Sequence, residues 1–293
     1  MKKEITIWIV VPVFNRAEKV YNFINQILSQ TFQSFKLIIV DHGTVDIYYS
    51  VFDDSRIVVL KENPELWWTG ATNRGVEYVI KQSISASDFV LIINDDVHIG
   101  KNYLQSIVEV GANYPNSIVS SVCVDNETNE IINAGYSLNR LRAKFISNYE
   151  GYKLNELPTS LIQPDTFTGR GTLIPIKIFK DMGLFLEKKL PHCGADNEFV
   201  YRAKESGYHL LISKNCIVKT TMNIPLRGKH SKFSFIKNQL FGTKSKGNIP
   251  TLFALSFLYF KMPYGIYYFI LNATRKTLST LNMAFKIYYL SKR

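Results

Sequence analysis

The chain has 293 residues, of which 46% are hydrophobic and 20% are charged. This composition predicts a globular protein with a sizeable core, and it excludes a disordered chain, a collagen-like repeat and a multi-span membrane protein. The formal net charge of +11 is unevenly spread: residues 224–293 contain twelve Lys or Arg and no Asp or Glu, while the first 223 residues hold 23 bases and 24 acids. We therefore expect a near-neutral body, residues 1–223, followed by a basic C-terminal extension, residues 224–293.

The cysteines and the N-terminal residues indicate a cytoplasmic protein. Cys123, Cys193 and Cys216 are odd in number and widely spaced, which disfavours a disulfide framework or a zinc site. Residues 5–14 form an apolar run, but no small-residue cleavage site follows it, so the run predicts a buried strand rather than a signal peptide.

Hydrophobic periodicity predicts alternating strands and helices. Apolar, β-branched runs predict strands at residues 5–13, 35–40, 56–60, 88–93, 118–124, 131–136 and 209–213. Apolar residues at helical spacing predict helices at residues 17–30, 70–82, 101–114 and 197–206. The alternation over the first 115 or so residues indicates an α/β fold with a Rossmann-like half.

Three polar clusters follow predicted strands, at residues 12–16, 41–46 and 94–96. Each cluster taken singly is typical of a turn or a helix cap. Ligands of open α/β sheets, however, bind beyond the carboxyl ends of the strands, where the three clusters would meet. Asp95 and Asp96 leave a buried strand side by side, which is costly unless a cation compensates. Mg²⁺ or Mn²⁺ bridging them to a diphosphate would do so.

Six segments carry motifs in a characteristic order. They are residues 11–16 (VPVFNR), 40–46 (VDHGTVD), 67–75 (WWTGATNRG), 94–96 (NDD), 169–171 (GRG) and 192–199 (HCGADNEF). In this order and spacing they resemble the motifs of the inverting glycosyltransferases of family 2. The resemblance covers about residues 5–215 and implies a GT-A fold, in which a Rossmann-like nucleotide-binding half is built on a mixed central sheet.

The resemblance also implies roles for matching residues. Those expected to contact the donor nucleotide are Pro12, Val13, Asn15, Arg16, Asp41, Asn73, Asn94 and Asp95. Asp96 would hold the Mg²⁺ or Mn²⁺ ion, and Asp196 would be the general base that deprotonates the acceptor hydroxyl. Gly169, Arg170 and Gly171 would lie on the acceptor side.

The sequence departs from the family pattern at several positions. His42 and the pair Thr44-Val45 replace more usual residues of the second motif, Asn94 begins the metal motif, and Ala195 precedes the expected base. Glu198 is therefore a rival to Asp196 as the base.

Two further residue types near the predicted site have open roles. Of Trp67 and Trp68, one indole, which we take to be Trp68, would line the sugar or nucleotide pocket, unless both cover the sheet edge. Some related enzymes use a histidine late in the chain as a metal ligand. His192 and His230 are in such positions, although neither is assigned to the metal.

The extension combines its cations with many aromatic residues. Residues 251–271 are nearly long enough to span a bilayer, but Lys261, Pro263 and Gly265 interrupt them. We expect a pair of interfacial helices with aromatic side chains at the headgroups and cations facing anionic lipid. A helical cap on the body with a solvated basic face is the alternative. Nucleic acid is not an expected partner because no nucleic-acid-binding motif accompanies the charge.

These observations predict a metal-dependent inverting glycosyltransferase. The donor would be a UDP- or dTDP-linked sugar, and the acceptor a saccharide that we expect to be lipid-linked, at the inner face of the cell membrane, as in capsule or O-antigen synthesis. The alternatives are a membrane-associated nucleotide-sugar binding module without turnover and a sugar-phosphate nucleotidyltransferase. A nucleotidyltransferase would need a Gly-rich loop with Arg or Lys after the first strand. Residues 12–16 follow that strand and do not form such a loop. The base, the donor sugar, the acceptor and the linkage stay open.

Overall fold

A computed structural model describes residues 5–83, 85–221 and 232–289, with the side chains of residues 288 and 289 excepted. Its strands are β1 (Ile7–Val13), β2 (Phe35–Asp41), β3 (Ile57–Lys61), β4 (Phe89–Ile92), β5 (His98–Ile99), β6 (Ser117–Asp125), β7 (Ile131–Asn133), β8 (Tyr136–Asn139), β9 (Lys144–Ser147), β10 (Leu161–Ile162), β11 (Thr172–Pro175) and β12 (His209–Thr220). Its helices are α1 (Ala17–Leu28), α2 (Trp67–Gln82), α3 (Tyr103–Asn113), α4 (Ile176–Met182), α5 (Ala195–Glu205), α6 (Lys232–Phe241), α7 (Ile249–Tyr259) and α8 (Tyr264–Tyr289).

The central sheet is mixed, as predicted. Its main strand order is β10-β12-β6-β11-β4-β1-β2-β3. Strands β4, β1, β2 and β3 run parallel, whereas β11 is antiparallel to both β4 and β6. In this register Val13 lies opposite Asp41, and Val10 lies opposite Ile92. The carboxyl ends of β1, β2 and β4 therefore meet at one edge, which brings the three polar clusters together.

The apolar run of β1 is explained by cover on both faces of the sheet. Ile9 and Val11 pack in the core that includes Phe23 of α1. Val10, pointing the opposite way, packs with Val76 of α2 in the second core. Because successive side chains of a strand point to opposite faces, a strand buried on both faces needs apolar residues throughout.

Most predicted elements are confirmed, with differences that have local causes. The predicted strand 131–136 is divided into β7 and β8 at Gly135, where φ is +83° and a Cβ would lie 2.6 Å from Pro164. Strand β12 continues to Thr220 instead of ending at residue 213, through an irregularity between Ser213 and Ile217. Helix α2 begins at Trp67, three residues earlier than predicted.

The described part of the extension forms three helices, of which α7 and α8 contact the body. The predicted helix pair corresponds to α7 and α8, which are separated at residues 260–263, and α6 was not anticipated. Leu255 of α7 lies against Gly194, so that a Cβ there would be 3.0 Å from it, and the rings of Tyr259 and Tyr201 are 4.7 Å apart. The predicted boundary at residues 223 and 224 lies outside the described residues.

Helix α8 has both buried and exposed side chains. Tyr268, Thr280 and Ala284 are buried, whereas Ile270, Leu278 and Leu281 are exposed. The N-terminal half of α8 also holds the turn between β8 and β9, since Asn272 Nδ2 donates to Ala143 O at 2.7 Å. None of the described helices is long and apolar enough to cross a membrane.

Candidate active site

The loops after β1 and β2 are tied together by Asn15. Its Oδ1 accepts hydrogen bonds from the backbone N–H groups of Thr44 (2.7 Å) and Val45 (3.1 Å), and its Nδ2 donates to Thr44 Oγ1. Asn15 has a φ of +53°, a left-handed conformation that asparagine tolerates better than most residues. A Cβ at Gly43 would lie 2.5 Å from Asn15 Oδ1, so this contact requires glycine. Asn15 thus shapes the site edge, whatever it contacts in a ligand.

Asp41 is buried at the end of β2 with three internal hydrogen-bond donors. Its carboxylate accepts from Gly43 N (3.0 Å), Tyr49 OH (3.1 Å) and Lys61 Nζ (2.7 Å). Tyr49 and Lys61 were not singled out from the sequence. The adjacent His42 is also buried, its Nδ1 has no hydrogen-bond partner among the described residues, and burial lowers its pKa.

Arg16 joins the two aspartates that follow β4. Its guanidinium lies 3.0 Å from Asp95 Oδ1 and 3.2 Å from Asp96 Oδ2. Burial raises the pKa of Asp95 to about 6, against the opposing effect of Arg16. Asp95 Oδ2 and Asp96 Oδ1 are both buried and have no partner within the described part of the chain. Two buried carboxylate oxygens are therefore available for a cation.

The donor set fits a hard divalent ion that is completed by a ligand. Mg²⁺ is commonly held by one or two carboxylates together with substrate phosphates and water. A cavity of about 280 Å³ opens beside Asp95 and Asp96 and is also lined by Lys19 and Thr220. Over the described ranges, no group of three or more His, Cys, Asp or Glu side chains is arranged to hold a metal. Asp95 and Asp96 would thus hold an ion jointly with the phosphates of a donor.

Trp68 connects the aspartate cluster to the acceptor-side loop. Its Nε1 donates to Asn94 Oδ1 at 3.1 Å, directly before Asp95. Its ring lies against Gly169, where a Cβ would be 3.3 Å from two ring carbons. Gly169 N in turn donates to Asp196 Oδ2 at 2.8 Å. Four of the predicted site residues therefore form one continuous chain of contacts.

Asp196 and Glu198 both lie in the first turn of α5 but have different surroundings. Asp196 is half-buried, its oxygens accept hydrogen bonds from the backbone N–H groups of Gly169 and Asn197, and burial raises its pKa. Glu198 is fully buried and paired with Arg202, whose Nε lies 2.8 Å from Glu198 Oε1. Asp196 is therefore the carboxylate available at the site, whereas Glu198 is held in an ion pair inside the protein.

The remaining predicted residues have mainly internal contacts. Pro12 and Val13 are buried in β1, and Val13 O accepts from His42 N. Asn73 is buried and holds the loop before α5, since its amide exchanges hydrogen bonds with Phe185 N and O. These contacts give Asn73 a structural role in the free protein rather than an open position at the nucleotide site.

The acceptor-side loop has one structural glycine and one cation. Gly171 has a φ of +77°, and a Cβ there would lie 2.4 Å from Tyr103 OH. Burial raises the pKa of Asp196, and the positive charge of Arg170 partly opposes this effect. Gly171 thus allows β11 to enter the sheet, while Arg170 faces the candidate base.

Lys244 of the extension also reaches the site. Its Nζ lies 5.7 Å from the ring centroid of Phe14 and 5.8 Å from that of Trp67, whose ring is 5.8 Å from His192. His192 is half-buried, its Nδ1 has no partner among the residues that the structure describes, and burial lowers its pKa. His230 lies outside the described residues. No local motif marks Lys244, which is one of twelve Lys or Arg in the extension.

Comparison with known proteins identifies the fold and the family. The mixed sheet and its flanking helices have the GT-A architecture: the chain superposes on GalNAc-T7, solved with UDP, GalNAc and Mn²⁺, with a TM-score of 0.66 at 13% identity, covering 92% of this chain and 50% of that one. The family model described as Glycosyl transferase family 2 matches residues 8–176. The chain belongs to glycosyltransferase family 2.

Curated relatives are similar over part of their length. The chain is 25% identical over 106 residues to the glycosyltransferase GlyG of Streptococcus pneumoniae, covering 34% of this chain and 33% of that protein. It is 25% identical over 190 residues to an uncharacterised glycosyltransferase of Rickettsia typhi, covering 61% of this chain and 53% of the relative. An uncharacterised glycosyltransferase of Rickettsia conorii is 28% identical over 195 residues. This match covers 61% of this chain and 28% of the relative. The chain therefore spans about a quarter to a half of these relatives.

Proposed function

We propose that this protein is a metal-dependent, inverting glycosyltransferase that moves a sugar from a UDP- or dTDP-linked donor to a saccharide acceptor. The observation that carries the proposal is the path of contacts from Asn94 through Trp68 and Gly169 to Asp196. It fixes the candidate base relative to the aspartates of the metal motif. The UDP, GalNAc and Mn²⁺ in the structure of GalNAc-T7 also support a nucleotide-sugar donor and a divalent ion.

The residues divide the chemistry between two carboxylate groups. Asp196 accepts the proton of an acceptor hydroxyl, while that oxygen bonds to the anomeric carbon and the bond from this carbon to the diphosphate breaks. Burial raises the pKa of Asp196 and so makes it a better proton acceptor than an ordinary aspartate. A divalent ion bound by Asp96, together with Asp95, would take up charge on the leaving diphosphate. Arg16 pairs with both aspartates in the free protein and offsets part of their negative charge.

We further propose that a glycosyltransferase domain, residues 1–223, acts at the cytoplasmic face of the cell membrane, where residues 224–293 associate with anionic lipid. The extension has exposed apolar side chains on α8, including Ile270, Leu278 and Leu281, beside its many cations. Such a surface suits an interfacial helix. A lipid-linked saccharide acceptor, as used in capsule or O-antigen synthesis, would be available there.

A thermal-shift screen of UDP- and dTDP-sugars, with and without Mn²⁺, tests the donor class. We expect at least one donor to raise the melting temperature, and to do so more strongly with Mn²⁺, since a ligand that binds the native state stabilises it. Asp96→Asn should remove the Mn²⁺-dependent part of the shift, whereas Asp53→Asn, at an exposed position, should retain it. The absence of a shift with every nucleotide would contradict the proposal.

Turnover of the donor that binds then separates an enzyme from a binding module. We expect Mn²⁺-dependent release of nucleoside diphosphate from the donor, faster when a saccharide acceptor is added. Donor binding without any hydrolysis or transfer would favour the binding module.

A further inference from the structure

The loop between α6 and α7, residues 242–248, lies beside the candidate active site and is held by hydrogen bonds. Asn248 Nδ2 donates to Gly242 O and to Ser245 O, both at 3.0 Å. Lys276 of α8 donates to Ser245 Oγ at 3.1 Å and to Lys246 O at 3.0 Å. Because Asn248 and Lys276 donate hydrogen bonds to three of the loop's carbonyl groups, the loop is held against the helices of the extension.

This loop contacts the body at the segment that leads into α5. Cys193 Sγ lies 3.8 Å from Lys244 O, and Leu255 of α7 packs against Gly194. These two body residues come directly before Ala195 and Asp196 in the chain. The loop is therefore placed against the segment that carries the candidate base.

The side chain of Lys244 extends from this loop toward the donor side. Its ammonium group lies near the rings of Phe14 and Trp67. Phe14 belongs to the same short loop as Arg16, which binds Asp95 and Asp96. Lys244 is thus connected through residues 14–16 to the carboxylates proposed to hold the metal.

The charge of Lys244 is not neutralised within the described part of the chain. Arg16 and Lys61 each have a carboxylate within salt-bridge distance, whereas no such pair is formed there by Lys244. Aromatic rings attract a cation without cancelling its charge. An exposed ammonium group with three N–H donors is well suited to phosphate oxygens.

We propose that Lys244 is a donor-binding residue whose ammonium group binds the diphosphate of the nucleotide sugar, so that the extension completes the active site. The inference rests on the proposed function, since it takes the ligand to be a nucleoside diphosphate. It adds to that function a cation supplied by the extension, at a position outside residues 8–176 that match the family model.

Binding of UDP and dTDP to the full-length protein, measured by calorimetry with Mn²⁺, tests the inference. We expect Lys244→Ala to lower the affinity for the tighter-binding of the two diphosphates about tenfold. This is the effect of losing one charge-assisted hydrogen bond. Lys244→Arg should stay within about threefold of the wild type because it keeps the charge. Lys237→Ala, which removes an exposed cation from α6, is the matched control and should leave binding unchanged.

Binding of the corresponding nucleoside, measured by saturation-transfer NMR, separates phosphate recognition from a structural effect. We expect Lys244→Ala to leave nucleoside binding unchanged. An equal loss of nucleoside and diphosphate binding, or diphosphate binding as tight as in the wild type, would overturn the role of Lys244. If the wild type binds neither diphosphate, the proposed function itself fails, and the role of Lys244 fails with it.

Discussion

The buried surroundings of Asp95 in the native state disfavour the ionised form of its carboxyl group. The side chain is 3% exposed, and its pKa is raised from the ordinary 3.8 to about 6. A raised pKa in the native state means that the native state binds the proton more tightly than the unfolded state does. Stability from this group is therefore fully present below about pH 4 and is lost as the pH rises through 6.

Asp95→Asn should consequently stabilise the protein at neutral pH while impairing donor binding with Mn²⁺. The shift of about two pH units corresponds to an upper limit of about 3 kcal/mol in the free energy of unfolding. Calorimetry without divalent ions should give a higher melting temperature than the wild type at pH 7.5, and a smaller difference at pH 5. A variant that is less stable than the wild type at pH 7.5 would contradict this account of the site.

Substitution of the two acidic residues of α5 should separate catalysis from stability. Asp196→Asn keeps the shape but removes the proton acceptor, so kcat should fall by about 10²–10⁴ while the donor Kd changes little. The wild-type kcat/KM should decline on the acidic side at a pH above the ordinary range of aspartate, because burial raises the pKa of Asp196.

Glu198→Gln is the matched control for Asp196→Asn. It should lower the melting temperature, because Arg202 loses a buried partner, yet retain kcat at temperatures where the variant is folded. The reverse pattern, with activity lost in Glu198→Gln and kept in Asp196→Asn, would make Glu198 the base.

The candidate site was predictable from sequence where residues follow strands or stand in short motifs. Asp95 and Asp96 follow an apolar strand, and Asp196 stands in a recognisable segment. Lys61 and Lys244 could not be found in this way, because each reaches the site only through the pairing of β3 with β2 or the packing of the extension. Ion pairs and ring contacts between distant segments leave no periodic signal in the chain.

At the scale of elements, Asn73 links α2 to the loop at residues 183–187. Its Nδ2 donates to Phe185 O at 3.0 Å and to Glu187 Oε2 at 2.9 Å, and its Oδ1 accepts from Phe185 N. All of these groups are at least half-buried, so water cannot readily replace the amide. Asn73 therefore fixes the loop against the helix that also carries Trp68.

Asn73→Ala should destabilise the protein without a direct effect on the nucleotide. Leaving the buried N–H and C=O of Phe185 without partners should cost about 1–3 kcal/mol in the free energy of unfolding, measured with denaturant. Arg74→Ala, which removes a half-exposed ion pair on the neighbouring turn, should cost less. If Asn73→Ala instead kept full stability and weakened UDP binding by tenfold or more, Asn73 would be a donor ligand.

The order of the elements was more predictable than their ends. Apolar runs mark β1, β2 and β4 because both faces of these strands are buried. The hairpin β8–β9 has half-exposed strands, and its turn is held by α8, more than 120 residues further along the chain. A short strand pair whose stability comes from a distant helix lacks the local pattern on which prediction depends.

At the scale of the whole molecule, the extension presents two surfaces. Tyr268, Thr280 and Ala284 of α8 are buried, and Tyr268 packs with Ala143 in the turn between β8 and β9. On other turns of α8, Ile270 (58%), Leu278 (62%) and Leu281 (47%) are exposed, at a spacing that places them along one face of a helix. Contiguous exposed apolar side chains of this kind mark an interaction surface, and the surrounding cations favour an anionic one.

The full-length protein should therefore bind vesicles that contain phosphatidylglycerol, measured by co-sedimentation. Binding should weaken as salt rises, since the cations act through screened electrostatic attraction, and it should be weak on phosphatidylcholine alone. The triple variant Ile270→Ser, Leu278→Ser and Leu281→Ser should bind several-fold less at the same net charge. Its melting temperature should change little, because the three side chains are exposed in the folded protein.

Val51→Ser is the control, since Val51 is similarly exposed (65%) but lies on the body, between β2 and β3. It should sediment with anionic vesicles as the wild type does. Equal binding by the triple variant would leave the cations as the sole contribution to membrane association. No binding of the wild type to anionic vesicles at low salt would exclude a membrane role for the extension, which would then act as a cap that holds the hairpin β8–β9 and carries Lys244 to the active site.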